Sequence, residues 1–466
     1  MLDFTSVRQT SARLAIALLA AAHVVAAQNA AGYLEAPTDP FGRNCTLPPG
    51  PLSFPTAVDY ALCRNPTTRS AWAAAREQAA ALGVAKSTLY PSLSATGAAT
   101  RSNGQQFDVT GNPINGWQNT ADATIDLNWL LYDFGGRSNR IASARHLFDA
   151  AGATAHSVVQ QTVRTLVQSY YGVVAADASL VAATMTQQAT AKSLQIARAL
   201  QQGGIGTMAD VLQAQTADQQ AVIARVQAEA ATQSSRGTLN ATLGLNADHP
   251  LQLEPDPLPT EVPALSAKMA SLMAEAEQQR PDLAAARAQR DAAAADVKVA
   301  RATGLPTISV GGQHSYVDIT NQPNQNFNQF GVTLTVPIFT GFSTVYGVRQ
   351  AKEVLEQRNE NAEQVRLAVS QDVWNAYYGL DSANQQLSTT AALVKTADEN
   401  QEVALGRYQS GVGTIIDVLT AQNAASTARQ LRINAELGWK VARAQMAFAL
   451  GRLINAEPLS ASTHLP

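Results

Sequence analysis

The chain has 466 residues, with 33 Lys and Arg against 36 Asp and Glu and a formal charge of −3. That balance provides no basic surface for nucleic acid. A mean hydropathy of −0.09, with no 18-residue apolar run beyond the N-terminus, speaks against a bundle of membrane-crossing helices. Apolar residues make up 46% of the chain but aromatics only 6%, and about one residue in five is alanine. Alanine favours helix and lets helices approach closely while adding little core volume. The length would allow about three ordinary domains, yet this composition points to long, thin helical packing.

Arg8 and Arg13 precede an apolar run, Leu14 to Ala22, followed by Val25-Ala26-Ala27. A charged start, a short apolar stretch and small residues at the end form a signal peptide over 1–27, cut after Ala27, so the chain is exported. No Cys follows the cut, which leaves no lipid anchor at that point. In the N-terminal segment 28–55 and just beyond it lie the two cysteines, Cys45 and Cys63. In an exported protein such a pair reads as a structural disulfide. Closing a loop of this size contributes roughly 3 kcal/mol through chain entropy. None of the six His lies in ligand spacing with the pair, so no metal site is expected there.

The chain is written twice. Asn65-Pro66 recurs as Arg280-Pro281, and Leu89-Tyr90-Pro91 as Gly304-Leu305-Pro306, both at an offset of 215. Tyr170-Tyr171-Gly172 recurs as Tyr377-Tyr378-Gly379, Gly204-Ile205-Gly206-Thr207 as Gly411-Val412-Gly413-Thr414, and Asp210-Val211-Leu212 as Asp417-Val418-Leu419, all at 207. Leu243-Gly244 and Leu450-Gly451 keep that second offset. A fixed offset of this kind marks an internal repeat. Repeat 1 covers 56–245 and repeat 2 covers 270–452, joined by a Pro-rich linker, 246–269, with a tail at 453–466. Each repeat has an Ala-rich helical segment (67–88 and 270–303) that stops at Pro91 or Pro306. Two strands follow (92–132 and 306–340), then a long helical hairpin (136–243 and 342–450).

Ala121 to Trp129 alternates strictly, with apolar residues at odd positions, and Phe330 to Ile338 does so at even positions. Leu93 to Ala99 and Ile308 to Tyr316 alternate more weakly. A period of two gives one apolar and one polar face. At about 10 residues and ~40° of tilt, such a strand crosses an apolar band of ~25 Å. The Asn/Gln/Gly-rich stretches 101–120 and 317–329 read as exposed loops, and Trp129, Tyr316 and Phe330 suit interfacial girdles. A soluble antiparallel sheet with one buried face fits each strand taken singly. Export, and the lack of other sequence to cover the apolar face, favour lipid. Since about 8 strands are the usual minimum for a membrane barrel, four per chain require several chains to share one.

Between Gly136 and Gln202, and between Phe342 and Ser410, there is no Pro. Each run would form a helix of about 100 Å at about 1.5 Å per residue. Val159, Leu166, Val173 and Leu180 recur in sevens, as do Val373, Leu380, Leu387 and Val394, a coiled-coil spacing. Small residues Ala176 and Ala183, with Ala376 and Ala383, allow close neighbours. A solvated filamentous coiled coil shares these features. The hairpins turn at Gly203-Gly204-Ile205-Gly206 and Gly411-Val412-Gly413, where glycine suits left-handed helix ends. Thr207 and Thr414 should cap the returning helices, with Asp210 and Asp417 in the first turn, where a carboxylate suits the helix dipole. In an oligomer whose tips converge, these carboxylates would also form a ring favouring cations. Gly411-Val412-Gly413-Thr414 lacks the preceding strand and third glycine of a dinucleotide loop. No P-loop, HExxH, GxSxG or Cys/His cluster occurs. No cofactor and no catalysis are expected.

The repeated plan, the tip motif Tyr408 to Leu419, and the strand ends Leu131-Tyr132-Asp133-Phe134-Gly135-Gly136 and Pro337-Ile338-Phe339-Thr340-Gly341 resemble the TolC-like outer-membrane efflux proteins over about 50–455. The resemblance implies a mixed fold of α-helix and transmembrane β. In a homotrimer, four strands from each chain build one 12-stranded barrel in outer-membrane lipid, continuous with a long α-helical barrel in the periplasm. It also implies a periplasmic adaptor (membrane fusion protein) and an inner-membrane pump of RND, MFS or ABC type. The channel would be a passive conduit for small molecules or for type I protein secretion. By position, Asp417 matches the family archetype's first gate aspartate and Tyr408 a tyrosine that tethers the closed hairpin. Thr420 stands where a second gate aspartate lies, Gly413 where a tethering arginine lies, and Asp210 matches Asp417 by the internal repeat. With Gly204, Gly206 and Gly411 these residues form the expected gate, one with fewer carboxylates and fewer tethers. A periplasmic adaptor or structural coiled-coil protein is the alternative; adaptors carry one hairpin flanked by small β domains.

Overall fold

The computed structural model describes residues 45–47, 49–107, 113–256, 268–319 and 322–453. The expected signal peptide, linker residues 257–267 and the tail beyond 453 lie outside the described residues. In chain order the elements are α1 (Phe54–Arg64), α2 (Pro66–Ser87), β1 (Ser92–Phe107), β2 (Pro113–Tyr132), α3 (Gly136–Gln202) and α4 (Met208–Leu243). Then come α5 (Met269–Gln279), α6 (Pro281–Ala302), β3 (Thr307–Ile319), β4 (Gln325–Thr335), α7 (Ser343–Gln409) and α8 (Ile415–Ala449). Two compact units result. The described residues of 75–150 and 287–360 form a sheet unit, and those within 39–74, 151–286 and 361–466 form a helical unit.

The sheet is antiparallel throughout, in the order β1-β2-β3-β4. Its register decides which side chains share a face, because directly opposed residues point the same way. Leu93 opposes Leu127, and Leu127 opposes Gly312, which opposes Phe330. Trp129 opposes Val310, which opposes Val332. The alternation seen in single strands is thereby gathered into one mainly apolar face, interrupted where His314 and Asn328 line up with Ile125. The other face carries Ser94, Thr124, Asp126, Gln313, Ser315 and Thr333. A bulge at Leu131 shifts the register by one, so that Tyr132 opposes Ile308 and joins the apolar side. Phe330 lies across Gly312, where a Cβ would meet its ring at 2.8 Å.

Both hairpins run further into the expected loops than their composition suggests. β1 and β2 pair out to Phe107 opposite Pro113, and β3 reaches Ile319. Ladder bonds use only the backbone, so Asn, Gln and Ser extend a strand freely when their side chains stay in water. β4 in turn stops at Thr335, short of the expected Ile338, because Pro337 has no N–H for the ladder. The strand-to-helix corner before α3 places Phe134 at φ 51° and Gly135 at φ 91°. The buried Arg137 guanidinium holds that corner by donating to the carbonyls of Thr88 (3.1 Å) and Leu131 (2.8 Å).

In the helical unit, the segment expected as one helix over 270–303 is two. Arg280 is extended (φ −70°, ψ 118°) between α5 and α6, as the residue before a proline prefers. Asn65 before Pro66 does the same (φ −60°, ψ 126°) and accepts from the Thr67 N–H at 2.8 Å. Of the heptad positions, Val159, Leu166, Val173, Val373 and Leu387 are buried while Leu180, Leu380 and Val394 are half-buried; of the small residues beside them, Ala376 and Ala383 are buried and Ala176 and Ala183 half-buried. One apolar cluster joins Leu52, Tyr60, Leu166, Tyr170, Val173, Leu239 and Leu243, and another joins Leu272, Leu283, Val369, Val373 and Met446. Cys45 and Cys63 are bonded, their Cα atoms 5.9 Å apart, which fastens the segment before α1 against the first cluster. One stretch of α3 reaches a mean hydropathy of 1.2 over 18 residues. A single such stretch builds no helical membrane bundle.

Candidate functional site

The two hairpin turns are built alike. α3 ends with the Ile205 and Gly206 N–H groups both donating to the Leu200 carbonyl at 3.0 Å, and Gly204 sits at φ 77°. α7 ends with Val412 donating to Arg407 at 3.0 Å, and Gly411 at φ 74°. The last glycine of each turn serves a different need. A Cβ on Gly206 would lie 3.1 Å from the Gln201 nitrogen, and one on Gly413 would lie 3.1 Å from the Tyr408 nitrogen. Gly413 thus lets the turn fold closely against the end of α7, where a Cβ would need its neighbours to shift by a few tenths of an ångström.

Each returning helix then opens with a complete capping box. The Asp210 N–H donates to Thr207 Oγ1 (3.2 Å) while Asp210 Oδ2 accepts from the Thr207 N–H (3.0 Å). Asp417 and Thr414 repeat the pair at 3.2 and 3.0 Å, and the Thr414 hydroxyl adds a 2.9 Å bond to Asp417 Oδ2. These hydrogen bonds from the Thr414 backbone and hydroxyl, with the nearby Arg407 charge, hold the Asp417 carboxyl below its ordinary range. The expected capping role is present at both turns. Because Asp417 is exposed, its charge faces water. Thr420 is exposed one turn further on.

Tyr408 is buried, and it brings the two hairpins together. It packs with Leu194 and Ala197 of α3, Val211 and Ala214 of α4, and Ile415 and Val418 of α8. Its hydroxyl has no hydrogen-bond partner among the described residues. Burial and the Asp210 charge push the phenol up. One turn beyond, Gln422 Nε2 donates to the Ala189 carbonyl (3.1 Å) and to Ser193 Oγ (2.8 Å), tying α8 to α3. Sequence reasoning passed over Gln422, since a glutamine among alanines looks like a wet position until its neighbours are placed.

A second cluster also went unread. Asp256, in the linker, accepts from the Tyr171 hydroxyl at 2.6 Å and from Lys440 at 2.5 Å. The Tyr170 hydroxyl donates to the Leu52 carbonyl at 2.9 Å. Burial and the charges of Asp256 and Glu254 push Tyr170 up to about 12, and burial with the Asp256 bond pushes Tyr171 up as well. Burial pushes Asp256 up as well, but bonds from Lys440 and Tyr171 outweigh it and leave the carboxyl lowered. Both tyrosines therefore stay neutral and act as donors that hold the linker down. Among the described residues no group of carboxylates, His and Cys could hold a metal ion.

The model of the family described as outer membrane efflux protein matches residues 57–245 and again 272–452. The chain belongs to that family. Among curated relatives, Protein CyaE of Bordetella pertussis is 30% identical over 392 residues, covering 82% of this chain and 80% of the relative. The outer membrane efflux protein BepC of Brucella suis is 27% identical, covering 85% of each. Among solved structures, the Campylobacter jejuni CmeC outer membrane channel superposes with a TM-score of 0.76 at 17% identity, covering 86% of each chain. The outer membrane protein VceC of Vibrio cholerae gives 0.73 at 18%, covering 85% of this chain and 96% of that one. These last two show a shared fold.

An outer membrane efflux protein must present an apolar surface to lipid, and the sheet does. Phe330 is 77% exposed, Val332 71% and Leu334 62%, all on one face of the register. Arg101 stacks over Trp117 at 4.8 Å at the far end of that face. The Trp129 indole donates to the Leu89 carbonyl at 3.0 Å near the helix-side end. The polar face carries Asp122 and Asp126 on β2 and no Lys or Arg among the described strand residues that share it.

Proposed function

We propose that this chain forms, as a homotrimer, the outer-membrane channel of a tripartite export system. Three four-stranded sheets close one barrel with the apolar face in lipid and the polar face on water, and the α3–α4 and α7–α8 hairpins line a periplasmic conduit. The observation that carries this reading is the register: it gathers Leu93, Ile125, Leu127, Trp129, Val310, Phe330, Val332 and Leu334, drawn from all four strands, on one face. Four strands alone cannot close around water. The channel passes cargo without catalysis and draws on a periplasmic adaptor and an energised inner-membrane pump. Relatives at 24% identity named for toluene and antibiotic efflux pumps support small-molecule export.

In this proposal the two turns are the periplasmic gate. Asp417 and Asp210 supply the ring of negative charge, and Tyr408 packs the inner hairpin against the outer one. The gate has Thr420 and Gly413 where further charge and a further tether would sit, so it holds fewer restraints. The reading is tested by the mass of the detergent-solubilised particle and its conductance in planar bilayers. Three chains per particle and cation-preferring ion steps are expected. A single-chain particle that passes no ions would overturn it, as would release of the protein from cells by osmotic shock, the behaviour of a periplasmic adaptor.

A further inference from the structure

Two polar atoms are trapped where the α7–α8 hairpin packs on the α3–α4 hairpin. Tyr408 is 4% exposed, with its ring set among Leu194, Val211, Ile415 and Val418. Its hydroxyl has no hydrogen-bond partner among the described residues, and Asp210 Oδ2 accepts from the Thr207 N–H instead (3.0 Å). Gln422 is 3% exposed. Its Nε2 donates to the Ala189 carbonyl and to Ser193 Oγ, but its Oε1 meets no donor among the described residues. Both atoms are sealed within one chain, so while this packing holds, neither water nor a second copy reaches them. The positions 207 residues earlier escape this, since Gln201 is half-buried and Gln215 is exposed.

A buried hydroxyl or amide oxygen gives up its bonds to water, and without a protein partner nothing offsets that loss. The Tyr408 ring and its hydroxyl therefore pull in opposite directions. Burying the ring against Leu194 and Val211 favours the packed seam, whereas the hydroxyl is better served once the hairpins part and water enters. Gln422 is divided in the same way. Its two Nε2 bonds hold α8 to α3, and its Oε1 opposes them. A tyrosine that tethered the seam through its hydroxyl would need an acceptor there, and Gly413 has no side chain with which to add a bond.

We infer that the Tyr408 hydroxyl and Gln422 Oε1 are release elements, which keep the packed hairpins poised to separate. For its consequence in transport this rests on the reading of the two turns as a gate. Tyr408 then has a role opposite to a tether: its ring closes the gate and its hydroxyl favours opening. Removing the hydroxyl alone tightens the seam.

The test uses the full chain in detergent, where the native cysteines are bonded to each other. Ala197→Cys, buried in the seam on α3, reports opening through its labelling rate with a soluble maleimide, and Ala214→Cys on α4 is a second reporter. Adding Tyr408→Phe should slow the labelling of both at least fivefold, and Tyr408→Ala should speed it. Gln422→Met should not speed it, because Ser193 Oγ still donates to the Ala189 carbonyl (3.1 Å) and no further atom loses its partner. A cysteine at the exposed Val403 should label alike in all of them. Labelling that is unchanged or faster in Tyr408→Phe, as a hydroxyl tether requires, would overturn the inference, and so would faster labelling in Gln422→Met. Bilayer recordings on the same variants test the gate separately: open probability should fall in Tyr408→Phe and rise in Tyr408→Ala. If labelling follows the expected order while open probability is the same in every variant, the release elements stand and the turns are not the gate.

Discussion

Gly451 offers the sharpest test of how the helical unit is held. It sits at φ 76°, and a Cβ there would lie 2.7 Å from the Gln279 carbonyl oxygen and 2.8 Å from its carbon. Those atoms belong to the break between α5 and α6, which cannot move without disturbing the buried Arg280. In Gly451→Ala the left-handed conformation costs roughly 1–2 kcal/mol, and the overpacking adds roughly 1–3 kcal/mol. A total of about 3 kcal/mol corresponds to about 9 °C at ~3 °C per kcal/mol for a unit of this size. Gly244→Ala has the same strain but a milder contact, 3.1 Å from the Arg64 carbonyl oxygen, and should lose about half as much. Gly438, inside α8 with open space around it, should gain up to ~1 kcal/mol as alanine. Circular dichroism melts of the three variants give the order directly. If Gly451→Ala melts with the parent protein, or above Gly244→Ala, the packing described for this corner is wrong.

Asp417→Asn should lower the cation preference of single channels while leaving conductance steps intact, and Asp210→Asn should do so as well; bi-ionic reversal potentials report both. Because the Asp417 carboxyl is held low by Thr414 and Arg407, its capping contribution is present above the ordinary carboxylate pKa of about 3.9. That contribution is lost only as pH falls through the lower folded value, so cation preference should persist on acidification below the point where a free carboxylate would be protonated. Asp122→Asn with Asp126→Asn should reduce the preference further, since the polar sheet face carries no balancing cation among its described residues. Replacing Cys45 and Cys63 by Ser should cost roughly 3 kcal/mol and remove any effect of reductant on the melting temperature.

Much of this fold is legible in the residues. Proline-free runs marked both 67-residue helices to within a residue or two, and Thr207 and Thr414 were legible as caps, though the return bond from each first-turn Asp to its Thr N–H was not. Strand ends were read less well, because polar side chains hide a ladder made only of backbone, and a proline hides where one stops. The turn glycines were visible as a cluster, yet only the coordinates separate Gly411, which needs a left-handed backbone, from Gly413, which needs room beside Tyr408. Contacts across long sequence distances left no local trace: Gln422 with Ser193 and Asp256 with Lys440 are 229 and 184 residues apart. Such pairs depend on which helix faces meet, and a hydrophobic period alone does not say which.

The central claim is that one face of the sheet meets lipid and the other meets water. A spin-label scan along β2, from Ala121 to Trp129, in reconstituted vesicles measures this directly through collision with oxygen and with a water-soluble nickel chelate. Labels at 121, 123, 125, 127 and 129 should favour oxygen, and those at 122, 124, 126 and 128 the chelate, in strict alternation. Uniform chelate access along the strand, or alternation of the opposite phase, would contradict the account.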